Sequence, residues 1–330
     1  MISNLETDIQ MSLDDFKMIR DFIHEKSGMY FAENKMYLVK NRLQKRMTEL
    51  DIKTVRDYFY HVKYDVSLNE FNRLMALVTT NETSFYRNEP QLLSFSDEVL
   101  PQMVDEKIKG RGPKSIRIWS AGCSTGEEPY TLAIILLERL INLTGWNVEI
   151  IANDISEQVL HNARKGEYSG LTLRNIKPNL LERYFTKVDD KYRVRPEVKA
   201  LVKYSHLNLN EPRKISMMSN MDVVFCRNVM IYFSDEVKKQ LVRGFFNSLR
   251  PGGYLYIGHS ETLHGISKAF KLVYFKNALV YRKEAVGTAI STAAQAERTA
   301  VSAARTGAVG GASRALDLLS RIKKPETVER

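Results

Sequence analysis

Residues Trp119–Tyr130 place two glycines and two adjacent carboxylates, Glu127 and Glu128, between the apolar run Ile116-Arg117-Ile118 and a helical stretch. A small-residue loop between a buried strand and a helix is where doubly wound sheets bind nucleotides. The dinucleotide spacing G-x-G-x-x-G is absent, and Glu127 stands where a phosphate-cradling loop needs lysine. Carboxylates beside glycines repel polyphosphate and attract a cationic ligand. S-adenosylmethionine carries both an ammonium and a sulfonium, so the loop reads as a methyl-donor site at which Gly122 lets the ligand approach the backbone.

Asp154 ends the apolar run Val148–Ala152, where a carboxylate can accept both ribose hydroxyls of an adenosine ligand. The alternative is an N-cap for the helix starting near Ser156. Asn208 and Leu209 follow Val202, and Arg227 and Asn228 follow Val223–Cys226, so both pairs sit at further strand ends. For Asn208 the competing reading is an ordinary loop polar residue. Without further information Arg87 reads as a solvated arginine and Tyr232 as a core aromatic.

Three segments change that assessment. Thr79–Arg87, Trp119–Tyr130 and Phe225–Phe233, in this order, closely resemble the CheR family of chemotaxis receptor glutamate methyltransferases, and the resemblance runs from about Leu13 to about Lys283. It implies S-adenosyl-L-methionine as methyl donor. It also implies donor-binding roles for Asn81, Thr83, Arg87, Gly122, Glu128 (rather than Glu127), Asp154, Asn208, Leu209, Arg227 and Asn228, with Arg87 and Tyr232 beside the reacting methyl. The product would be a glutamate methyl ester. Such chemistry needs no general base, because a Glu side chain titrates near ~4.3 and is already an anion at neutral pH. It needs desolvation and in-line placement. Arg87 suits this as a bidentate holder of carboxylate, and Tyr232 as a hydroxyl and aromatic wall.

The elements that must position these residues can be read from periodicity. Up to about residue 85 the pattern is helical, opening on Ser12 with Asp15 in a capping box. From Ser115, short β-branched runs alternate with helical patterns: Ile116–Trp119, Val148–Ala152, Val223–Cys226 and Tyr254–Ile257 are expected strands, followed by Phe270–Tyr274 and Ala278–Tyr281. The fold expected is an α/β Rossmann-like methyltransferase sheet (89–284), preceded by a small all-α receptor-docking domain (1–88). Tyr184–Val188 and Tyr192–Val194 flank Asp189-Asp190 like a hairpin, and 184–209 is read as an antiparallel β insertion. Residues 285–330, rich in Ala, Thr, Ser and Gly, are expected to be a disordered tail with one short amphipathic segment, Ala315–Ile322.

A second signal lies in the helical part. Met36, Val39, Leu43, Met47 and Leu50 form a buried stripe, while Lys35, Arg42 and Arg46 share an adjoining face. Receptor methylation helices are rich in Glu, so this basic face is expected to dock the substrate. In the family, some members tether to a receptor's C-terminal peptide through a longer, glycine-containing loop in the β insertion. Here Val188–Lys191 is short and lacks glycine, which predicts recognition without that peptide.

The remaining composition narrows the class. Met1–Asp8 has no basic stretch leading into an apolar run, and no later stretch is long enough to span a bilayer, so a cytoplasmic protein without membrane insertion is expected. Cys123 and Cys226 have no metal-type spacing and read as reduced thiols; the histidines suggest no metal site either. The net charge of +10 would suit nucleic acid, but adenine amino-methyltransferases use an Asn/Asp-Pro-Pro-aromatic loop where this chain has Arg227-Asn228-Val229-Met230. The resemblance implies methyl-accepting chemotaxis receptors as partners rather than nucleic acid, and a monomer is expected. A donor-sensing adaptor without turnover is the reading of another class; it would be suggested by loss of Arg87, Tyr232 or Asn228, all of which are present.

Overall fold

The computed structural model describes residues 9–110, 113–139, 145–276 and 278–284. The expected tail, with its Ala315–Ile322 segment, lies outside the described residues. The chain begins with helices α1 (Leu13–Ser27), α2 (Met36–Glu49), α3 (Val55–Lys63) and α4 (Asn69–Val78). The capping box that opens α1 is formed: Ser12 Oγ accepts the Asp15 N–H at 3.1 Å and Asp15 Oδ2 accepts the Ser12 N–H at 3.2 Å. After an extended segment, α5 (Glu89–Ser94) continues through a π-helical turn into α6 (Leu100–Lys109).

The α/β part then runs β1 (Ser115–Ala121), α7 (Glu127–Arg139), β2 (Asn147–Asp154), α8 (Glu157–Lys165), β3 (Glu167–Tyr168), α9 (Pro178–Tyr184), β4 (Phe185–Val188) and β5 (Lys191–Val194). It continues with α10 (Pro196–Lys199), β6 (Val202–His206), α11 (Pro212–Ile215), β7 (Met221–Cys226), α12 (Asp235–Ser248), β8 (Leu249–Ile257), β9 (Lys271–Tyr274) and β10 (Leu279–Arg282). Seven strands make one sheet in the order β6-β2-β1-β7-β8-β10-β9; it is parallel except for the antiparallel β10. The strand order reverses direction at β1, which creates a crevice beyond the carboxyl ends of β1 and β7.

The insertion needs correction. The small sheet is β3-β5-β4, so it starts at Glu167 rather than at Tyr184. Within the expected 184–209, Val202–His206 is not part of it: this strand pairs in parallel with β2 at the edge of the main sheet. Val202 is the only buried residue of β6. An edge strand that buries one side chain leaves no apolar run to read, and the two-residue β3 leaves none either.

Side chains alternate across the sheet into two cores. Trp119, Val224 and Leu255 join one face, packed with α12 and with Phe16, Ile19, Ile23, Leu43 and Leu74 of the N-terminal helices. Ile118, Val223, Phe225 and Tyr256 join the other, packed with Phe95 and Leu132–Leu136. The N-terminal helices and the sheet therefore share one continuous apolar cluster, and the chain up to Lys283 is a single compact unit. At the strand ends away from the crevice, the Asp222 carboxylate, 1% exposed, takes Lys107 at 2.7 Å, the Arg117 N–H at 2.9 Å and the Arg250 guanidinium, which ties α6, β1, β7 and β8 together. Removing one partner from such a buried group costs roughly 3–5 kcal/mol.

Candidate active site

A cavity opens at the carboxyl ends of β1, β2, β6 and β7, where open α/β sheets bind their ligands. Each strand delivers part of its wall. β1 runs into Gly122, whose N–H bonds the Asn153 carbonyl at 2.8 Å. Its φ is +78°, and an added Cβ would lie 2.5 Å from Val229 Cγ2, so only glycine fits where the loop turns into the cavity.

β2 delivers Asp154, whose Oδ2 accepts the Ser124 N–H at 2.9 Å and whose Oδ1 accepts the Ser156 N–H at 3.0 Å. The capping alternative is not realised: Ser156 is the N-cap of α8, and the Asp154 carboxylate closes the turn ahead of the helix while lining the cavity. Burial pushes its pKa up; backbone N–H donors from Ser156, Ser124 and Ile155 oppose the shift. Ser124 Oγ, also on the wall, is buried without a protein partner, and Ser124 holds a left-handed φ of +50°. Strained backbone of this kind clusters at ligand sites.

The two adjacent carboxylates separate. Glu127 is 1% exposed, accepts the Thr125 hydroxyl at 2.7 Å, and is pushed up in pKa by burial; it does not reach the cavity. Glu128 lines it, with Oε1 taking the Ser120 hydroxyl at 2.8 Å and Oε2 meeting Arg227 Nη1 at 3.2 Å. Arg227, after β7, is 8% exposed; its Nε donates to Gln91 Oε1 at 2.9 Å and its Nη2 to the Arg87 carbonyl. Burial lowers its pKa and the Glu128 carboxylate opposes that. With three protein acceptors, the Arg227 guanidinium holds the wall in place.

β6 delivers Asn208 and Leu209. Asn208 Nδ2 donates to the Lys26 carbonyl at 2.7 Å and its Oδ1 accepts the Asn210 N–H at 2.9 Å, so this residue stitches the end of α1 to the sheet. Ser27 and Met29, just beyond, also line the cavity, and the Tyr30 N–H bonds the Tyr232 carbonyl at 2.8 Å. The contribution of 27–30 to the wall went unread in the sequence, since nothing in an ordinary helix C-terminus announces it.

The remaining wall comes from Thr79–Arg87. Phe85 anchors this segment, with its ring 4.8 Å from Tyr168 and 5.2 Å from Phe185, and Arg87 Nη1 donates to the Glu82 carbonyl at 2.8 Å. Asn81, Thr83 and Arg87 face the cavity, as do Asn228 and Tyr232. All the residues expected to bind donor or to flank the methyl are therefore brought to one cavity. No histidine lines it.

The basic face of α2 is a different matter. Arg46 forks onto Glu70 at 2.9 and 2.6 Å and meets Glu49 at 3.0 Å, while Tyr58 donates to Glu70 at 3.0 Å. Arg42 donates to the Val78 carbonyl and, at 3.0 Å, to Thr80 Oγ1, so it ties α2 to the cavity-lining segment. Burial lowers the Arg42 pKa and Tyr232 opposes the shift. Lys35 stays exposed. The spacing placed these cations on one face, but two of them are engaged within the protein.

The donor set fits S-adenosylmethionine: a cradle open only because Gly122 lacks a side chain, carboxylates at Asp154 and Glu128, and an unpaired buried hydroxyl at Ser124. A Rossmann-like sheet with this cavity at its switch point defines the class of S-adenosylmethionine-dependent methyltransferases. Residues 14–79 match the all-alpha domain of CheR methyltransferases and residues 81–279 match their S-adenosylmethionine-binding domain. The chain belongs to the CheR methyltransferase family. Chemotaxis protein methyltransferase 2 of Vibrio cholerae serotype O1 is 36% identical over 270 residues, which cover 82% of this chain and 92% of that protein. Chemotaxis protein methyltransferase 1 of Pseudomonas aeruginosa is 36% identical over 275 residues (81% and 97%), and the chemotaxis protein methyltransferase of Borreliella burgdorferi is 34% identical over 259 (78% and 91%). The enzyme is thus a methyltransferase of chemotaxis that uses S-adenosylmethionine. Among the described residues no helix is long and apolar enough to cross a membrane.

Proposed function

We propose that this enzyme esterifies glutamate side chains on the cytoplasmic helices of methyl-accepting chemotaxis receptors, working as a cytoplasmic monomer. The observation that carries the reading is that Arg87 and Tyr232 share a single cavity with Asp154, Glu128 and Gly122. When bound, the donor supplies an electrophilic methyl group on a sulfonium.

The chain's own residues do the rest. Asp154 accepts the ribose hydroxyls, and its two backbone N–H contacts fix the carboxylate for this. Glu128, steadied by Ser120 and Arg227, attracts the positive end of the donor. Asn81, Thr83, Asn208, Leu209 and Asn228 complete the donor's surroundings. Arg87 receives the incoming carboxylate, and Tyr232 walls the reaction path. The acceptor is an anion before it arrives, so no residue has to remove a proton, and the half-buried wall strips water from it. Catalysis by placement of this kind requires the rigid supports seen at Arg227 and Phe85.

For recognition, Lys35, at the head of α2, is exposed to a partner, and Arg42 acts by shaping the rim at Thr80. The Val188–Lys191 turn is short, with Asp189 at φ +54°, which supports recognition without a C-terminal receptor peptide. Incubation with methyl-labelled donor and a receptor cytoplasmic fragment tests the function: label released by mild alkali as methanol supports it, and alkali-stable label refutes it.

A further inference from the structure

We propose that Glu261, in the loop after β8, is a positioning residue for methyl transfer that locks the Asn228–Tyr232 wall of the active site. This rests on the reading of that wall as the place where the methyl is transferred. Glu261 does not line the donor cavity. Its carboxylate instead gathers three backbone donors: Oε2 accepts the N–H of Asn228 at 3.0 Å and of Gly258 at 2.5 Å, and Oε1 accepts the N–H of Ile231 at 3.1 Å. Its own N–H bonds the Gly258 carbonyl at 2.9 Å, which closes the turn that aims the side chain.

Two features show that this arrangement constrains the chain. Asn228 is held at φ +61°, left-handed backbone that few residues besides Gly, Asn and Asp adopt, so the loop turns sharply at this position. Gly258 has no positive φ, yet an added Cβ would lie 2.7 Å from Glu261 Oε2 and 2.9 Å from the Asn228 nitrogen. Glycine is needed there because the carboxylate and the loop backbone occupy the space. A carboxylate is acceptor-only with two oxygens, so it can take all three N–H groups; an amide would turn an NH₂ against one of them. Tyr232 follows directly on Ile231, and its own carbonyl is held by Tyr30, so the pull of Glu261 on Ile231 sets where the Tyr232 ring stands.

Glu261→Gln in the full-length enzyme tests this by two readouts. Hydrogen exchange followed by mass spectrometry requires no acceptor: exchange in 227–233 should rise at least tenfold, with the rest of the sheet unchanged. In steady state, kcat for the receptor fragment should fall at least tenfold with KM for the receptor moving less than threefold, and S-adenosylhomocysteine affinity, which also depends on Asn228, should fall by clearly less than kcat. Gly258→Ala, which keeps the charge but pushes the carboxylate off the backbone, should reproduce both effects and serves if the first variant folds poorly. Unchanged exchange in both variants, or a kcat loss matched by equal loss of donor affinity, would overturn the proposal. Wild-type enzyme that modifies no receptor glutamate would refute the functional reading and leave the exchange test intact.

Discussion

The Arg227 guanidinium meets the Glu128 carboxylate at 3.2 Å inside the wall of the donor cavity, and Gln91 and the Arg87 carbonyl hold the rest of that guanidinium. This pair joins the strand-end loop of β7 to the head of α7. Glu128→Gln should therefore keep the scaffold, because Arg227 retains two acceptors, while S-adenosylmethionine affinity falls by about 1.5–3 kcal/mol as a charged partner is lost. Calorimetric titration checks this; unchanged affinity in a folded variant would remove Glu128 from the donor site.

Asp154 predicts a pH dependence. Burial raises its pKa from the ordinary Asp value, so the ionised form that accepts ribose hydroxyls is lost sooner on acidification than an exposed Asp would be. S-adenosylhomocysteine affinity should fall as pH drops through that raised value. Asp154→Ala should fold and bind about 1.5–3 kcal/mol more weakly, with the pH dependence flattened. Titrations across pH on both proteins measure this, and a parallel pH profile in the variant would exclude Asp154 as its source.

Arg46 predicts a stability effect in place of a docking one. Burial pushes Glu70 up, but the hydrogen bonds from Arg46 and Tyr58 more than reverse it, leaving its carboxyl below the usual value. A depressed folded-state pKa gives stability that is present above the unfolded value, near ~4.3, and lost as pH falls through the folded one. Arg46→Ala should destabilise by roughly 3 kcal/mol at neutral pH, because it strands a buried carboxylate, and by less below about pH 4. Urea unfolding at both pH values provides the measurement. An equal cost at both would show that packing of the arginine stem, not the ion pair, is what is lost.

What the sequence disclosed and what it withheld have physical causes. The cavity positions of Gly122, Asp154 and Arg227 were legible because each ends or follows a strand read from its apolar run, and a parallel sheet must bring its strand ends together, whereas Asn208 follows the misplaced β6. Thr79–Arg87 was legible through resemblance alone; the Phe85 anchor depends on rings at Tyr168 and Phe185 that no local pattern reveals. The edge strand β6 was misplaced because it buries one apolar residue. Arg42 and Arg46 were grouped correctly on one helix face, yet their partners, Val78, Thr80 and Glu70, are remote in sequence, so spacing could not tell an engaged cation from a solvated one. Glu261 was invisible for the same reason, since two of its three backbone donors, at Asn228 and Ile231, lie some thirty residues away.

The most direct test of the account is to incubate the enzyme with labelled donor and receptor cytoplasmic fragments, with and without their C-terminal tails, and to map the label by tandem mass spectrometry. The account predicts base-labile methyl esters on glutamate side chains, at comparable rates on tailed and tailless fragments, abolished by Arg87→Ala. Label on another residue type, or on nucleic acid in place of receptor, would contradict the proposed substrate, and activity confined to the tailed fragments would contradict recognition without the peptide.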